Sequence, residues 1–479
     1  MQAGNPQVDR LRTIIARRPL CLRVETTNVC NARCVFCAYI KTRRLKSIMP
    51  LDLCEKVVAD YADMGGGAVN LTPIVGEPLL DPHLCDRLRI LRANAAITRV
   101  SLVTNAIAWD HYSPEDQRFI LESLDRVDIS VGGLDADSYR RMYRVDAFDS
   151  VRSAVHAMCE IKLRHNLSLD INLEFRVDQP IERLLADPRM SAFRRKGISS
   201  IDAMNTFGNW GGMVDSEDVP VGARVVELER TTGRARQAKR NPCFVYYMSP
   251  AVTCDGSVTA CGCMNAEARE LIIGDIKSTH LQDIWSGAPL RRFIASFGAD
   301  ALPDICANCT SYQDGHTWLH NPALAHFRIG DDPWDVIRKH APPPPGSALS
   351  DAIMRLVGQG HQRIAICGAG EFSKAALAAI PAPTDAFPLV AVIDDDPRNQ
   401  GQIIDGLPVV STDQAMALRI DAAVIGSQWY AWELWQASGR LRDAGVHVIP
   451  LDDACVVLPT HLARYAGKKP FDTPSLSSA

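Results

Sequence analysis

Three cysteines lie close together near the amino end of the chain, with the spacing Cys30-x3-Cys34-x2-Cys37, directly after a strand-like run of residues. Three thiolates can bind three irons of a [4Fe–4S] cluster and leave the fourth iron open for a further ligand and an electron. The alternatives are a zinc site and three buried thiols. Zinc usually recruits a fourth cysteine or histidine nearby, and none follows Cys37 for many residues. The spacing therefore predicts a reactive iron–sulfur centre.

A second group of cysteines lies later in the chain: Cys243, Cys254, Cys261, Cys263, Cys306 and Cys309. A turn at Gly256 predicts a β-hairpin that presents Cys261, and the Cys306-x2-Cys309 pair places two thiolates on one short turn. Four of these cysteines suffice for one closed cluster, and a structural zinc site is the alternative. The remaining cysteines are scattered, and we expect buried apolar side chains at Cys21, Cys54, Cys85, Cys159, Cys367 and Cys455.

Strand-like and helical segments alternate from about residue 20 to residue 207. The predicted strands are Cys21–Glu25, Ala68–Thr72, Val100–Thr104, Arg126–Val131, Ser168–Val177 and Ser199–Met204. The predicted helices are Leu51–Met64, His83–Ala95, Pro114–Leu124, Ser150–Leu163 and Ile181–Arg194. Six strands with intervening helices imply parallel βαβ units with right-handed crossovers. If the strands form part of a barrel, the residues just beyond each strand face a common pocket.

Composition excludes several classes of function. The 479 residues are 47% apolar and 23% charged, which is ordinary for a globular protein of about three domains. A formal net charge of −4 does not indicate the positively charged surface that binds nucleic acid. No apolar run approaches the roughly twenty residues that span a bilayer, and the amino end lacks a secretion signal. We therefore expect a cytoplasmic protein with neither a nucleic-acid nor a membrane partner.

The cysteine loop, with Phe36 before its last cysteine, and the order of the strands resemble the radical S-adenosylmethionine (SAM) enzymes over roughly residues 18–215. The resemblance implies a partial (β/α)6 barrel in which Cys30, Cys34 and Cys37 hold the catalytic [4Fe–4S] cluster. In that family the open iron binds SAM, and reductive cleavage of SAM gives a 5′-deoxyadenosyl radical. A low-potential electron donor is then an expected partner.

Further residues are assigned to SAM by the same resemblance. Val75-Gly76-Glu77-Pro78 is similar to the family's Gly-Gly-Glu-Pro segment, which contacts the SAM amino group, although Val75 replaces the first glycine. The resemblance implies that Asn105, Ser130 and Arg144 hold the ribose or the carboxylate of SAM. For each of these polar residues a strand-end cap or a solvated side chain is an equal alternative.

The second cysteine group resembles the SPASM/twitch subfamily, whose pattern also includes Gly274-Asp275-Ile276 and Ile284-Trp285. Because no cysteine lies between Cys309 and Cys367, the match is to the shorter twitch form with one auxiliary [4Fe–4S] cluster. The ligands that the resemblance implies are Cys243, Cys261, Cys306 and Cys309, with Cys254 and Cys263 as alternates. Such a cluster can accept an electron during an oxidation, since cluster potentials span on the order of a volt.

The carboxyl-terminal part predicts a separate domain after the proline run Pro342–Pro345. A strand leads into Gly368-Ala369-Gly370 and a helix, and the next strand ends at Asp394. Glycines at such a turn let a phosphate approach the helix, and an acid can bind a ribose hydroxyl. This Rossmann-like segment resembles the nucleotide-binding domain of sugar-nucleotide-modifying enzymes. A domain used only for dimerisation or rigidity is the alternative.

The predicted domains are an amino-terminal segment 1–19, a barrel 20–215, an auxiliary-cluster domain 235–320, a linker 321–347, a Rossmann-like domain 348–455 and a tail 456–479. The resulting hypothesis is a radical SAM oxidoreductase that dehydrogenates or epimerises a carbohydrate-type substrate: a sugar, an aminocyclitol or a nucleotide-sugar. Expected substrate contacts are Glu174, Arg176, Asn205, Asn209 and Trp210. Modification of a ribosomal peptide is one alternative, and a non-catalytic iron–sulfur nucleotide sensor is another.

Overall fold

The computed structural model describes residues 6–226, 239, 241–267, 269–299, 301–319, 321, 324, 326–328, 330–339, 345–378, 380, 387–426, 434–435 and 437–451. The chain divides into two compact units, the larger within residues 5–319 and 326–336 and the smaller mainly from residue 337 onward. The predicted tail 456–479, Cys455 and most of the predicted proline run lie outside the described residues.

The larger unit is built on a sheet whose first six strands lie side by side in chain order. They are β1 (Cys21–Val24), β2 (Gly67–Asn70), β3 (Ile97–Thr104), β4 (Arg126–Val131), β5 (Asp170–Arg176) and β6 (Ser200–Met204). Every neighbouring pair among them is parallel. Each strand matches one predicted from the sequence, and the predicted α/β fold with a parallel sheet is confirmed.

Helices connect these strands, as parallel pairing requires. Helix α1 (Pro6–Ile15) precedes β1. The connecting helices are α2 (Leu51–Asp63), α3 (Leu84–Ala93), α4 (Pro114–Glu122), α5 (Ala136–Tyr143), α6 (Phe148–Arg164) and α7 (Ile181–Ala186). The predicted helix Ile181–Arg194 is wrong beyond residue 186. Pro188 disfavours helical backbone at Asp187, which is extended, and a 3-10 turn follows.

Polar and apolar side chains alternate along β4 and β5. Asp128 lies opposite Asn172 and Ser130 opposite Glu174, and Asn172 Nδ2 donates to Asp128 Oδ1 at 2.8 Å. Ile129, which lies between Asp128 and Ser130 on β4, is apolar and fully buried. Because side chains alternate with a period of two, the polar set shares one face of the sheet. The carboxyl ends of these strands thereby carry polar groups to the edge where chemistry is expected in barrels of this kind.

Short strands extend the same sheet on the far side of β1. After a separate ribbon of β7 (Thr206–Phe207) and β8 (Arg224–Val225) come β9 (Ala251–Val252), β10 (Ser257–Thr259) and β11 (Ile272–Asp275). The sheet order is β11-β10-β9-β1-β2-β3-β4-β5-β6, with β9 parallel to β1 and antiparallel to β10. The predicted hairpin around Gly256 is therefore confirmed, and it brings the second cysteine group beside the strand that precedes the first.

Short helices complete this part of the larger unit: α8 (Val245–Met248), α9 (Leu281–Trp285), α10 (Ala288–Ser296), α11 (Asp304–Asn308), α12 (Gly315–Leu319) and α13 (Pro333–Lys339). Helix α13 is held by a buried ion cluster. Arg126, only 4% exposed, pairs with Asp335 on α13, with Asp332 at 3.5 Å and with Asp128 at 3.1 Å. The segment after the cysteine-rich region is thus fastened to the start of β4.

Replacing Arg126 by methionine should lower the free energy of unfolding of the larger unit by about 3–5 kcal/mol, because buried carboxylates lose their cation. The matched control is Arg118→Met. Arg118 is 53% exposed and pairs with Glu122 on the surface, so its loss should cost about 0–1 kcal/mol. Denaturant unfolding followed by tryptophan fluorescence compares the two. Equal midpoints for the two variants would contradict a supporting role for the cluster.

The smaller unit contains a second sheet in the order β14-β15-β13-β12-β16-β17. Its strands are β12 (Ile364–Cys367), β13 (Leu389–Ile393), β14 (Ile403–Ile404), β15 (Leu407–Val410), β16 (Ala422–Ile425) and β17 (His447–Pro450). All pairs are parallel except β14 with β15. Its helices are α14 (Pro345–Gly358), α15 (Glu371–Ala378), α16 (Thr412–Ala417) and α17 (Gly439–Asp443).

Two further findings concern chain segments predicted from composition. Residues 345–347, predicted as the end of a stiff spacer, instead open helix α14. Proline is tolerated in the first turn of a helix because its missing amide hydrogen has no partner there. Among the described residues, no helix combines the length and the apolar character needed to cross a lipid bilayer.

Candidate active site

The first cysteine loop is held by contacts from its own residues and from helix α5. Tyr39 ties both ends: its hydroxyl accepts from Cys30 N at 3.0 Å and donates to Cys30 O at 3.1 Å, while Tyr39 N donates to Cys37 Sγ at 3.4 Å. Cys37 N also donates to Cys34 O at 3.1 Å. From the other side, the last turn of α5 accepts from Arg33 N and Val35 N. The loop is therefore a pre-formed turn.

The electrostatics of this loop suit thiolates only when a cation is present. Burial raises the pKa of Cys30 to about 12 and also raises the pKa of Cys34 and Cys37. The thiolates of Cys37 and Cys30 raise the pKa of Cys34 further. Iron supplies the positive charge that such a set needs. The three-cysteine donor set, with no fourth protein ligand in the loop, fits a cluster with one open iron.

Glu77 organises the segment that the resemblance assigns to SAM. Its carboxylate is 2% exposed and accepts from Thr104 Oγ1, from Asn105 N at 2.7 Å and from Leu79 N at 3.0 Å. Burial raises the pKa of Glu77 to about 7. Asn105 in turn lies 4.0 Å from Cys30 Sγ and donates to Asn31 Oδ1 at 2.8 Å. Glu77 thus positions Asn105 against the cysteine loop.

Gly76 is the position in this segment where a side chain would not fit. Its φ is +148°, and a Cβ there would approach Thr27 O to 2.7 Å and Asn28 Cα to 3.0 Å. Only glycine adopts such a conformation with that contact. Val75, which replaces a family glycine, packs its side chain into an apolar cluster with Ala38. The valine therefore packs within the protein beside the first cysteine loop.

The carboxyl ends of β4 and β5 place a polar trio beside the loop. Arg176 Nη1 donates to Ser130 Oγ, and Arg176 Nη2 pairs with Glu174 Oε2 at 2.8 Å. The guanidinium lies 5.6 Å from the centre of the Phe36 ring, a cation–π distance. Its charge also lowers the pKa of Cys34 against the effect of burial. Ser130, Phe36, Glu174 and Arg176, predicted separately, are therefore one site.

Two other predicted residues lie at its margin. Arg144 follows α5 with φ +56° and has an exposed side chain, while the preceding Tyr143 packs edge-on against Phe36 at 5.5 Å. Asn205 follows β6, where its carbonyl accepts from Arg224 N at 2.7 Å. Neither side chain is joined to the Ser130 trio by a described contact. Their assigned roles stay predictions.

Five cysteines line a second, apolar pocket, together with Tyr246, Met264, Phe293 and Tyr312 among others. The cysteines are Cys243, Cys261, Cys263, Cys306 and Cys309. Burial raises the pKa of Cys243 to about 12 and that of Cys309 to about 11. The four predicted ligands are thus together, with the alternate Cys263 among them. Such a thiol-rich, apolar donor set fits an iron–sulfur cluster.

Cys254, the other alternate, lies elsewhere. It is 2% exposed and 3.9 Å from Arg44 Nη2, next to the buried Glu25–Arg44 ion pair. Glu25 also accepts from Ile74 N at 3.0 Å. This cysteine therefore belongs to the packing around β1, and its position disfavours it as a cluster ligand.

Described His, Cys, Asp and Glu side chains form no group of three arranged for a single metal ion. The thiolates of a cluster bind different irons, so they need not converge on one point. We therefore still interpret each cysteine group as the donor set of an iron–sulfur cluster. Metal analysis of the purified protein distinguishes a cluster from a zinc site.

Lys239 is a residue that the sequence analysis did not single out. Its ammonium is buried and donates to the carbonyls of Cys306 at 2.6 Å, Ala307 at 3.1 Å and Cys309 at 2.7 Å. It also lies 5.5 Å from the Tyr312 ring. One cation thereby holds three carbonyls of the Cys306–Cys309 turn. No local pattern marks it, because the turn lies some seventy residues away in the chain.

Replacing Lys239 by methionine should loosen this turn, because three carbonyls then lose a charged donor, and each such loss costs about 1–3 kcal/mol when buried. We expect faster loss of iron from the second cysteine group when reconstituted protein is treated anaerobically with a chelator. Lys277→Met, which removes an exposed lysine paired with Asp275, is the control. Identical rates of iron loss in the two variants would remove Lys239 from this role.

Asn209 and Trp210, predicted to contact substrate, also bind other parts of the protein. Trp210 Nε1 donates to Phe36 O at 2.8 Å, and Asn209 Nδ2 donates to Asn308 O at 2.7 Å. Their side chains therefore support the two cysteine loops, and substrate contact stays a prediction for both residues.

In the smaller unit, the predicted glycine turn follows β12 as expected. Gly368 has φ +99°, and a Cβ on Gly370 would meet no atom of the described residues within 4 Å. Asp394 accepts from Ala369 N at 2.8 Å and from Asn399 Nδ2 at 3.2 Å, so its carboxylate holds the turn itself. Ser373, in place of a third glycine, donates to Gly426 O at 2.7 Å. Nucleotide binding here stays a prediction.

Comparison with known families agrees with the two cysteine sites. Residues 24–185 match the radical SAM superfamily, and residues 243–310 match the SPASM iron–sulfur cluster-binding domain. The chain therefore contains both domains, which are those of iron–sulfur radical SAM enzymes. Their cofactors are a [4Fe–4S] cluster with SAM and an auxiliary cluster, as the sequence predicts. The first match includes the Cys30 loop, and the second begins at Cys243.

Curated relatives match part of the chain. The GTP 3′,8-cyclase of Desulforamulus reducens is 28% identical over 153 residues, which is 31% of this chain and 45% of the relative. The GTP 3′,8-cyclase of Chlorobaculum tepidum is 31% identical over 136 residues, 28% of this chain and 39% of the relative. The chain thus spans less than half the length of these two relatives.

Among solved structures, BtrN in complex with AdoMet and 2-DOIA matches with a TM-score of 0.40 and 17% identity. The match covers 62% of this chain and 94% of that one. A likeness at this level bears on neither substrate nor reaction.

Proposed function

We propose that the chain is a radical SAM oxidoreductase acting on a carbohydrate-type substrate, with dehydrogenation of a secondary alcohol as its reaction. The observation that carries the proposal is the link between the five-cysteine pocket and the first cysteine loop, which Asn209 and Trp210 provide through hydrogen bonds to Asn308 O and Phe36 O. Removal of one hydrogen atom from an alcohol carbon leaves one electron and one proton still to be lost. An auxiliary cluster provides a place for that electron.

The first cysteine group would hold the cluster that, with SAM bound, supplies radical chemistry. Around it the protein's own groups define the substrate space. Arg176 and Glu174 form an ion pair that offers a donor and an acceptor side by side, a combination suited to vicinal hydroxyls. Glu174 is 8% exposed, so its carboxylate is shielded from water. We assign Glu174 as the acceptor of the hydroxyl proton and Arg176 as the residue that orients it.

A nucleotide-linked sugar is the substrate we favour within this class. The name of the two matched relatives includes GTP, a ribose nucleotide. In the smaller unit, the turn at Gly368 and Gly370 precedes a helix, and no described residue would contact a Cβ on Gly370, so a phosphate could approach the backbone amides there. Both facts support a nucleotide-bearing ligand.

The test is incubation of reconstituted protein with SAM, a low-potential reductant and a panel of sugars, aminocyclitols, nucleotide-sugars and peptides. We expect a nucleotide-sugar to accelerate release of 5′-deoxyadenosine and to lose two mass units. Acceleration by a peptide alone would overturn the carbohydrate assignment. An unchanged mass with altered stereochemistry would replace dehydrogenation by epimerisation. Absence of any SAM cleavage would favour a non-catalytic nucleotide sensor.

A further inference from the structure

The loop after β6 lies between the two cysteine groups and contacts both. Trp210 donates its indole hydrogen to Phe36 O, and Phe36 is the residue immediately before Cys37. The neighbouring Phe207 stacks on the Phe36 ring at 4.8 Å with an interplanar angle of 15°. The segment that contains Phe207 and Trp210 therefore binds the first cysteine loop through one hydrogen bond and one ring contact.

The other side of this loop is bound to the second cysteine group. Asn209 donates to Asn308 O at 2.7 Å and accepts from Thr310 N at 3.2 Å, while its own backbone N donates to Thr310 Oγ1 at 3.0 Å. Asn308 and Thr310 flank Cys309. Glycine at position 211 is required by packing, since a Cβ there would lie 2.5 Å from Ile305. The contact is thus extensive and leaves little freedom.

The backbone of this loop is also strained. Trp210 has φ +51°, a left-handed conformation that costs of order 1 kcal/mol or more for a residue that is not glycine. Such a conformation persists only where surrounding contacts over-determine it. Here those contacts are the bonds to Phe36 on one side and, through Asn209, to Asn308 on the other.

From these contacts we infer that Asn209 and Trp210 form a strut that fixes the spacing and orientation of the two cysteine groups. Phe36 and Asn308 precede Cys37 and Cys309 in the chain. Trp210 donates to Phe36 O and the adjacent Asn209 donates to Asn308 O, so two hydrogen bonds connect the two cysteine groups. These are positioning residues: they hold the two sites in register so that a radical formed at one has its electron acceptor at a set place. The inference rests on the proposed function for its use, whereas the strut itself rests on the contacts alone.

The experiment compares Trp210→Phe and Asn209→Ala with wild type in fully reconstituted protein. Trp210→Phe keeps an aromatic ring and removes only the indole donor. The readout is the spin relaxation of the reduced auxiliary cluster, measured by pulsed electron paramagnetic resonance with the first cluster oxidised and then reduced. Because dipolar relaxation falls steeply with distance, each variant should lose at least half of the enhancement that reduction of the first cluster produces.

The matched control is Tyr61→Phe. The Tyr61 hydroxyl also donates to a backbone carbonyl, Pro19 O at 3.4 Å, and neither residue belongs to a cysteine group. It should keep the wild-type enhancement. Enhancement equal to wild type in both strut variants, with two clusters present, would overturn the strut while leaving the proposed function intact. Wild-type protein holding fewer than two clusters would instead overturn the proposed function.

Should the strut variants lose iron on purification, hydrogen exchange of the unreconstituted protein provides the second measurement. Amides of residues 304–310 should exchange faster in Trp210→Phe than in Tyr61→Phe. Equal exchange in the two variants would also overturn the strut.

Discussion

Replacing Cys34 by alanine should reduce release of 5′-deoxyadenosine from SAM to the level of a protein-free control. Two thiolates cannot hold a cluster that needs three to leave one iron open. Cys34 is the central member of its loop and is influenced electrostatically by both Cys30 and Cys37. Asn105, whose amide lies 4.0 Å from Cys30 Sγ, cannot replace a thiolate as an iron ligand. The assay is anaerobic turnover with dithionite.

The matched control for this substitution is Cys159→Ala. Cys159 is a buried cysteine on α6 that belongs to neither cysteine group, so its loss removes a thiol without touching either site. This control should retain SAM cleavage, and Cys34→Ala should retain the iron of the second group. Cleavage at the wild-type rate in Cys34→Ala would remove that residue from the cluster.

The sheet could be predicted closely because its signals are local. Polar and apolar residues such as Asp128 and Ile129 alternate along β4, and a period of two residues directly indicates a β-strand. Helix α5 was missed although Asp135 and Ser138 form a reciprocal capping box at its start. A capping box is a weaker sequence signal when few apolar residues follow it. Here the exposed arginines after it obscured the buried face of the helix.

The sequence predicts the site residues that lie close together in the chain. It does not predict the contacts between residues that only folding brings together. Cys30, Cys34 and Cys37 lie within eight residues, so their proximity follows from the sequence. Asn209 and Trp210 follow a strand end, which predicts a place near the substrate but not their contacts within the protein. Their hydrogen-bond partners in the structure are some hundred or more residues away, a separation that no local pattern encodes.

Removing both Cys306 and Cys309 as alanine variants should halve the iron and sulfide content, a loss of roughly four irons per chain. These two thiols share one turn held by Lys239, and they line the pocket with the remaining three cysteines. Three thiols spread over other segments cannot replace a closed four-ligand set. SAM cleavage by the first centre should persist, whereas oxidised product should disappear because its second electron has no acceptor.

Single substitutions then decide which thiols are ligands. Cys254→Ala should keep full iron content, because Cys254 lies beside Arg44 and Glu25 and outside the pocket. Cys261→Ala and Cys263→Ala distinguish the two remaining candidates for the fourth ligand. Since the resemblance favours Cys261, we expect iron loss with Cys261→Ala and retention with Cys263→Ala. Bound zinc with no iron in the second group of wild type would contradict the auxiliary cluster outright.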